Sequence, residues 1–258
     1  MSAVAKDDVP DSDDEAWPSA SALGLAQFIH EREVSSTMDV AHALATAGAP
    51  AGVLVMADRQ RAGRGRSGNR WESADDAGLW MTLIERPADQ RVIGVLALRL
   101  GMALADALSP FVVEPIRLKW PNDVMAGGGK LAGILVEARW RHAAVDWVAI
   151  GIGINRRVPP DIPQATAVRD GVSRATLLTA VVPSLRAAVA MHGQLSERER
   201  AAWHARDFAR GRRIRAPRAG IVEGISADGA LLVTDDDGAS IEPVRTGSIV
   251  FDEPVTPA

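Results

Sequence analysis

The chain has 258 residues, 47% of them hydrophobic, a formal net charge of −4 and no cysteine. It is long enough for one large core, or a main core with a small module. The missing thiols exclude a disulfide framework, a thiolate nucleophile and a zinc–thiolate site, and the acidic balance leaves any cationic function to a local cluster.

Residues 1–22 are acidic and poor in large apolar side chains apart from Trp17. They read as a solvated, disordered tail. Thr37 is a suitable N-cap for a helix from Met38 to Ala47, with Gly48 at the C′ position. Gly52–Ala57 has the length and composition of an apolar strand, and Leu79–Ile84 reads as a second. Between them runs an Arg/Gly loop, Arg59 to Arg70. Val92–Leu108, charged only at Arg99 and Asp106, predicts a buried helix. No apolar run is taken to reach spanning length, and no signal sequence opens the chain.

Ile116–Lys119 is a strand closed by Pro121. Leu131–Ala138 and Trp147–Ile154 are two more, with Arg139–His142 near their turn. A helix from an N-cap at Ser173 to Met191 is predicted to be interrupted by Pro183, and another spans Glu197–Phe208. From Gly211 the pattern changes to short strands at 213–215, 220–225, 230–234 and 248–251. Asp228-Gly229 and Asp237-Gly238 punctuate them, as in a small β barrel. The fold class expected is α+β: a mixed sheet with helices over 23–208 and a β module over 209–258.

Lysine and asparagine are scarce. The chain has three lysines, two of them Lys119 and Lys130, and three asparagines, Asn69, Asn122 and Asn155. A lysine kept among so many arginines points to a place that needs a compact charge with three donors. The loop from Arg59 to Trp71 holds Arg59, Arg61, Arg64, Arg66 and Arg70 with no acid among them. Interleaved glycines let backbone N–H groups and guanidinium forks approach one anion together. The loop lacks the Lys-Ser/Thr ending of a phosphate-binding P-loop. Taken alone it fits phosphate or carboxylate binding, or a nucleic-acid tract.

Four segments taken together resemble the biotin protein ligase family, in particular the bacterial biotin–[acetyl-CoA-carboxylase] ligases. They are Ser35-Ser36-Thr37, Gln60 to Trp71, Lys119-Trp120-Pro121-Asn122-Asp123 with Lys130-Leu131-Ala132-Gly133, and Gly151-Ile152-Gly153-Ile154-Asn155. The resemblance runs from about Val34 to the C-terminus. It implies a class II synthetase-like catalytic domain and an SH3-like C-terminal module. It also implies a two-step reaction, in which biotin and ATP form biotinyl-5′-AMP and a carrier-domain lysine then takes the biotinyl group.

By the same resemblance Ser36, Thr37 and Gln60 would bind the biotin ureido ring. Arg64, Gly65 and Arg66 would close over biotin and the acyl phosphate, with Gly133 against the biotin pocket. Lys130 would be the catalytic lysine, contacting both the biotin carboxylate and the α-phosphate. Trp71 would stack on adenine and Asn155 would bond its edge. Asn122 and Asp123 would lie by the phosphates, Asp123 as a ligand of the Mg2+ that accompanies ATP. Lys130, Arg64, Arg66 and Asp123 are the expected catalytic set.

The expected partner is the biotin carboxyl carrier domain of an acyl-CoA carboxylase, met in the cytoplasm by a monomer or homodimer. No DNA binding is expected, since only about thirty residues precede the Ser-Ser-Thr motif, too few for the winged helix that some members carry; nor is membrane binding expected. Family members usually carry asparagine after the Ser-Thr pair, where this chain has Met38. Trp120 and Trp140 are expected as core or interface aromatics. The five histidines show no metal-ligand spacing. The rival readings are a lipoate or octanoate ligase of the same fold and a nucleic-acid-binding module.

Overall fold

Residues 16–162, 164–235, 238 and 240–252 are described by the structure, a computed structural model. A seven-stranded mixed sheet holds β1 (Gln27–Val34), β2 (Val53–Gln60), β3 (Gly78–Glu85), β4 (Ile116–Lys119), β5 (Asp123–Ala126), β6 (Gly129–Arg141) and β7 (Ala144–Asn155). Their order is β1-β2-β3-β7-β6-β5-β4. Among the described residues, only β1–β2 is a parallel pair in this sheet.

Every residue of β3 is buried, because both faces of the sheet are covered. One face packs on α2 (Leu96–Leu108) and α3 (Arg174–Val189) in the larger core, which includes Leu54, Met56, Leu104, Ile134, Ile150 and Leu178. The other face receives α1 (Thr37–Thr46) through Met38, Ala41 and Ala45 against Val53, Val55, Ile84 and Ala149. The segment Gln90–Phe111 has the length and hydropathy of a membrane span, contrary to the expectation that no apolar run reaches that length. It is instead the central core helix with its flanking 3-10 turns. Its Arg99, 2% exposed, pairs with Glu199 at 2.6 Å and donates to the carbonyls of His192, Gly193 and Gln194.

The C-terminal segment forms a five-stranded antiparallel sheet, β11-β10-β9-β8-β12, from β8 (Arg213–Ala216), β9 (Gly220–Ile225), β10 (Leu231–Thr234), β11 (Ile241–Val244) and β12 (Val250–Phe251). It joins the larger core through Ile214, Val222, Leu231 and Val233. Between the two sheets runs α4 (Glu197–Arg206), opened by a capping box of Ser196 and Glu199. Trp120 Nε1 donates to Gly229 O at 3.0 Å, tying β4 to this sheet.

Several expectations change. The N-cap of α1 is Ser36, whose hydroxyl accepts from Met38 N; Thr37 is already in the helix. Pro183 lies inside α3 without ending it. It removes one N–H, and the helix survives because its apolar face is buried along the whole length. β1, β5 and β11 are strands that the apolar pattern did not predict. Residues 1–15 and Asp237 lie outside the described residues. Of the expected tail, Trp17 packs edge-on to Phe28 and lies under the Arg174 guanidinium at 4.8 Å.

Candidate active site

On the α1 side of the sheet, β6 and β7 place Gly133 opposite Gly153 and Leu135 opposite Gly151. Missing side chains there leave a cavity of about 140 Å³. Its walls bring together Ser36, Thr37, Gln60, Arg64, Gly65, Arg66, Trp71, Asn122, Asp123, Lys130 and Gly133. Every candidate site residue except Asn155 is therefore in one cavity wall.

One end is neutral and hydrogen-bonding. Gln60 Oε1 accepts from Thr37 N at 2.9 Å and from Thr37 Oγ1 at 3.1 Å, while its Nε2 donates to Ser73 Oγ at 2.8 Å. Thr37 Oγ1 also bonds Thr82 Oγ1 at 2.8 Å. Ser36, Thr37, Ser73 and Thr82 are buried, so each hydroxyl needs a partner. Thr82 and Ser73 were not singled out in the sequence. A lone threonine in the otherwise apolar run Leu79–Ile84 was the available signal.

The other end is cationic. Lys130 Nζ lies 2.6 Å from Asp123 Oδ1. Arg66 donates to Asn122 Oδ1 at 3.4 Å and to Gly247 O at 3.3 Å, so the C-terminal sheet reaches the cavity, where Ser248 joins its wall. Burial pushes the Arg66 guanidinium below its ordinary value, with Asp123 acting in the opposite direction. Lys119 stands behind this end, 5.5 Å from the Phe251 ring that also carries Arg212 at 3.9 Å. Desolvation lowers its ammonium below the usual lysine value; Asp123 opposes, while Lys130 and Arg212 add to the lowering. Asn122 Nδ2 donates to Ile134 O at 2.6 Å, which fixes its amide against β6.

Between the ends the wall is apolar: Met38, Met81, Leu135 and Ile152. Trp71 lies across it. A Cβ on Gly153 would come within 2.3 Å of the indole, and one on Gly133 within 2.7 Å. Lys130 Nζ is 4.9 Å from the ring centre. Among the described residues nothing accepts from Trp71 Nε1. The ring is thus held by contact and by the cation above it.

The arginine loop is ordered around a 3-10 turn at Arg66–Gly68, with Gly65 N donating to Asn69 O and Trp71 N to Gly63 O. Arg64 lines the cavity but pairs with Asp39 at 3.2 Å and Glu137 at 3.7 Å. Glu137 also meets His42 at 2.6 Å. Asn155 is 3% exposed, and its Nδ2 donates to Lys130 O and Thr166 O. Here it braces the strand that carries Lys130. Trp140 is half exposed at the end of β6.

No group of three side chains that could hold a metal ion occurs among the described residues. Among the described residues Asp123 is the one carboxylate in the cavity wall, and it faces an ammonium. That arrangement fits a magnesium ion carried on substrate phosphates, which needs only one or two carboxylates, rather than an ion site built from protein alone.

Residues 31–155 match the biotin/lipoate A/B protein ligase family, and residues 211–252 match the biotin protein ligase C-terminal domain. The chain is 34% identical over 200 residues to a biotin–[acetyl-CoA-carboxylase] ligase of Mycobacterium tuberculosis, covering 72% of this chain and 71% of that one. It is 41% identical over 129 residues to the bifunctional ligase/repressor BirA of Bacillus spizizenii, covering 50% of this chain and 40% of the relative. The chain spans about two fifths of the length of the Bacillus ligase/repressors it matches. Its fold is similar to a biotin protein ligase from Aquifex aeolicus solved with biotin and ATP. The TM-score is 0.72 at 25% identity, with 89% of this chain and all of that one covered. The chain belongs to the biotin protein ligase family.

Proposed function

We propose that this chain is an ATP-dependent biotin–[biotin carboxyl carrier protein] ligase. The observation that carries the reading is the order of chemistry along one cavity. A buried hydroxyl–amide network at Ser36, Thr37 and Gln60 gives way to an apolar wall and then to Arg66 and Lys130. Biotin presents the same sequence: a neutral ureido ring, a sulfur ring with an alkyl chain, and a carboxylate. The Aquifex relative, solved with biotin and ATP, supports the pair of substrates.

In the first step a biotin carboxylate oxygen attacks the α-phosphorus of ATP. The bond to the β-phosphate breaks, and pyrophosphate leaves with the electron pair. Two anions must meet, and each unit repulsion at about 4 Å is worth roughly 4 kcal/mol at an effective dielectric of 20. Fixed cations at Lys130, Arg66 and Arg64 offset that repulsion where charge develops. Lys130 would bridge the carboxylate and the α-phosphate. Bound magnesium would neutralise phosphate charge, held through the phosphates with Asp123 as the nearest carboxylate. Asn122 would orient the phosphates beside it.

In the second step the neutral amine of the acceptor lysine adds to the acyl carbon. The bond to AMP breaks, and AMP leaves as the phosphate anion. Asp123 would take the proton that the amine gives up. Trp71 would serve the adenine end by stacking, whereas Asn155, whose Nδ2 donates to the carbonyls of Lys130 and Thr166, would brace the Lys130 strand rather than bond the base edge. Gly65 and Gly133 let the chain approach the ligand closely. The acceptor would be the carrier domain of an acyl-CoA carboxylase in the cytoplasm.

The test is to incubate the protein with biotin, Mg-ATP and a biotin-acceptor domain, then follow pyrophosphate release and acceptor biotinylation. Octanoate in place of biotin discriminates the lipoate or octanoate reading. Turnover with octanoate and none with biotin would reject the biotin assignment.

A further inference from the structure

Met38 is the second residue of α1, and its N–H donates to Ser36 Oγ at 3.3 Å. The helix cap therefore fixes where its side chain starts. From there the thioether runs along the cavity wall onto β7. A Cβ built on Gly151 would lie 2.9 Å from Met38 Sδ and 3.3 Å from Cγ, with Leu135 Cβ at 3.6 Å. Gly151 is not among the residues of positive φ. Its missing side chain serves space, not backbone conformation.

Met38 is 3% exposed and packs with Ala41, Ala45 and Ala149 in the smaller core. Close-packed neighbours on that side leave the cavity as the direction in which the thioether can move. Methionine, with three rotatable bonds and no strong hydrogen-bonding group, makes a deformable apolar wall. It stands one residue from Thr37, next to the end that would hold the ureido ring.

We propose that Met38 and Gly151 form a matched pair that sets the depth of the apolar part of the cavity, making Met38 a specificity-determining residue for the sulfur-bearing ring. The inference rests on the biotin reading above and adds a residue and a mode of discrimination to it. Selection at this wall is by shape, since a thioether cannot supply the hydrogen bonds of an amide.

Steady-state kinetics of pyrophosphate release, with biotin and with desthiobiotin, tests the pair. Gly151→Ala pushes the thioether into the cavity and raises KM for biotin about tenfold or more, the scale of a methylene-sized misfit in an apolar pocket. KM for ATP stays unchanged. Adding Met38→Ala to Gly151→Ala returns KM for biotin towards wild type. Met38→Ala alone lowers the kcat/KM ratio of biotin to desthiobiotin about tenfold, because the ring loses its wall, and Met38→Leu retains the ratio. The pair is overturned if Gly151→Ala leaves KM for biotin unaltered, or if Met38→Ala does not relieve it. A wild-type protein that releases no pyrophosphate with biotin instead rejects the ligase reading, and the pair falls with it.

Discussion

Lys130 Nζ lies 2.6 Å from Asp123 Oδ1, on neighbouring antiparallel strands whose register shifts between Val124 and Met125. The bulge turns an ordinary hairpin into a device that points an ammonium and a carboxylate into one cavity. Asp123 holds the ammonium in place, and an entering anion then finds a cation already positioned. Lys119 feels the same carboxylate from behind, with Lys130 and Arg212 both acting on its ammonium, so this end of the cavity carries surplus positive charge.

Lys130→Ala is expected to slow adenylate formation by roughly 10²–10³, the scale for losing one preorganised electrostatic partner. Single-turnover pyrophosphate release measures it directly. Wild-type release from the variant would remove Lys130 from the mechanism.

Trp71→Ala is expected to weaken ATP binding more than biotin binding, because the proposed role of the indole is to stack on adenine, beside the Lys130 ammonium 4.9 Å from its ring centre. Calorimetric titration of each ligand separates the two effects. Equal losses would contradict an adenine-side role. Gly153→Ala should reproduce the ATP defect, since a Cβ there would meet the ring at 2.3 Å.

Lys119 is a stability liability by the sign of its shift. Its folded-state ammonium is disfavoured by desolvation, so the unfolded chain binds the proton more tightly. Stability then rises with pH as the solution passes from the lowered folded value towards the ordinary 10.5. Lys119→Met is expected to raise Tm at neutral pH and to lower the adenylation rate. Thermal melts with and without pyrophosphate check the first half: pyrophosphate should stabilise wild type more than the variant. A variant that melts lower than wild type would contradict the assignment.

His204 joins α4 to the C-terminal sheet, accepting from Ile225 N at 3.4 Å through Nε2. Desolvation lowers its pKa, with Arg210 and Arg200 adding to the effect and Asp207 opposing. The neutral form is favoured in the fold, so stability falls as pH drops below the ordinary 6.5 towards the lowered value. His204→Gln is expected to flatten the Tm profile between about pH 7 and 5. An unchanged slope would exclude His204 as its source.

Breaking the Arg99–Glu199 pair is expected to be costly, because Arg99 is buried and Glu199 also completes the Ser196 capping box. Glu199→Ala should destabilise by about 3–5 kcal/mol, the range for stranding one partner of a buried pair. Urea denaturation measures it.

Much of the site was legible in the sequence because its parts are local words. Lys119 to Asp123 and Lys130 to Gly133 sit on two sides of one hairpin, so short-range order suffices to join them. What distant strands supply was harder to read. Thr82 and Ser73 matter only because Gln60 and Thr37 turn towards them. Rarity singled out Asn155, yet its amide is spent on the carbonyls of Lys130 and Thr166. Among the strands, β1 was missed because an edge strand with five exposed polar positions, Gln27 and His30 to Glu33, shows no apolar alternation. β11 carries Pro243 and exposed residues, the composition that edge positions tolerate. The α1 cap was misplaced by one residue because Ser36 and Thr37 are both good caps. The buried partner Thr82 draws Thr37 inward and leaves the cap to Ser36.

The most direct measurement is intact-mass analysis of a biotin-acceptor domain after incubation with this protein, biotin and Mg-ATP. A mass gain of one biotinyl group, dependent on ATP and strongly slowed by Lys130→Ala, is the predicted result. No gain with biotin, or an undiminished gain with the variant, would contradict the claim that these cations join carboxylate to phosphate.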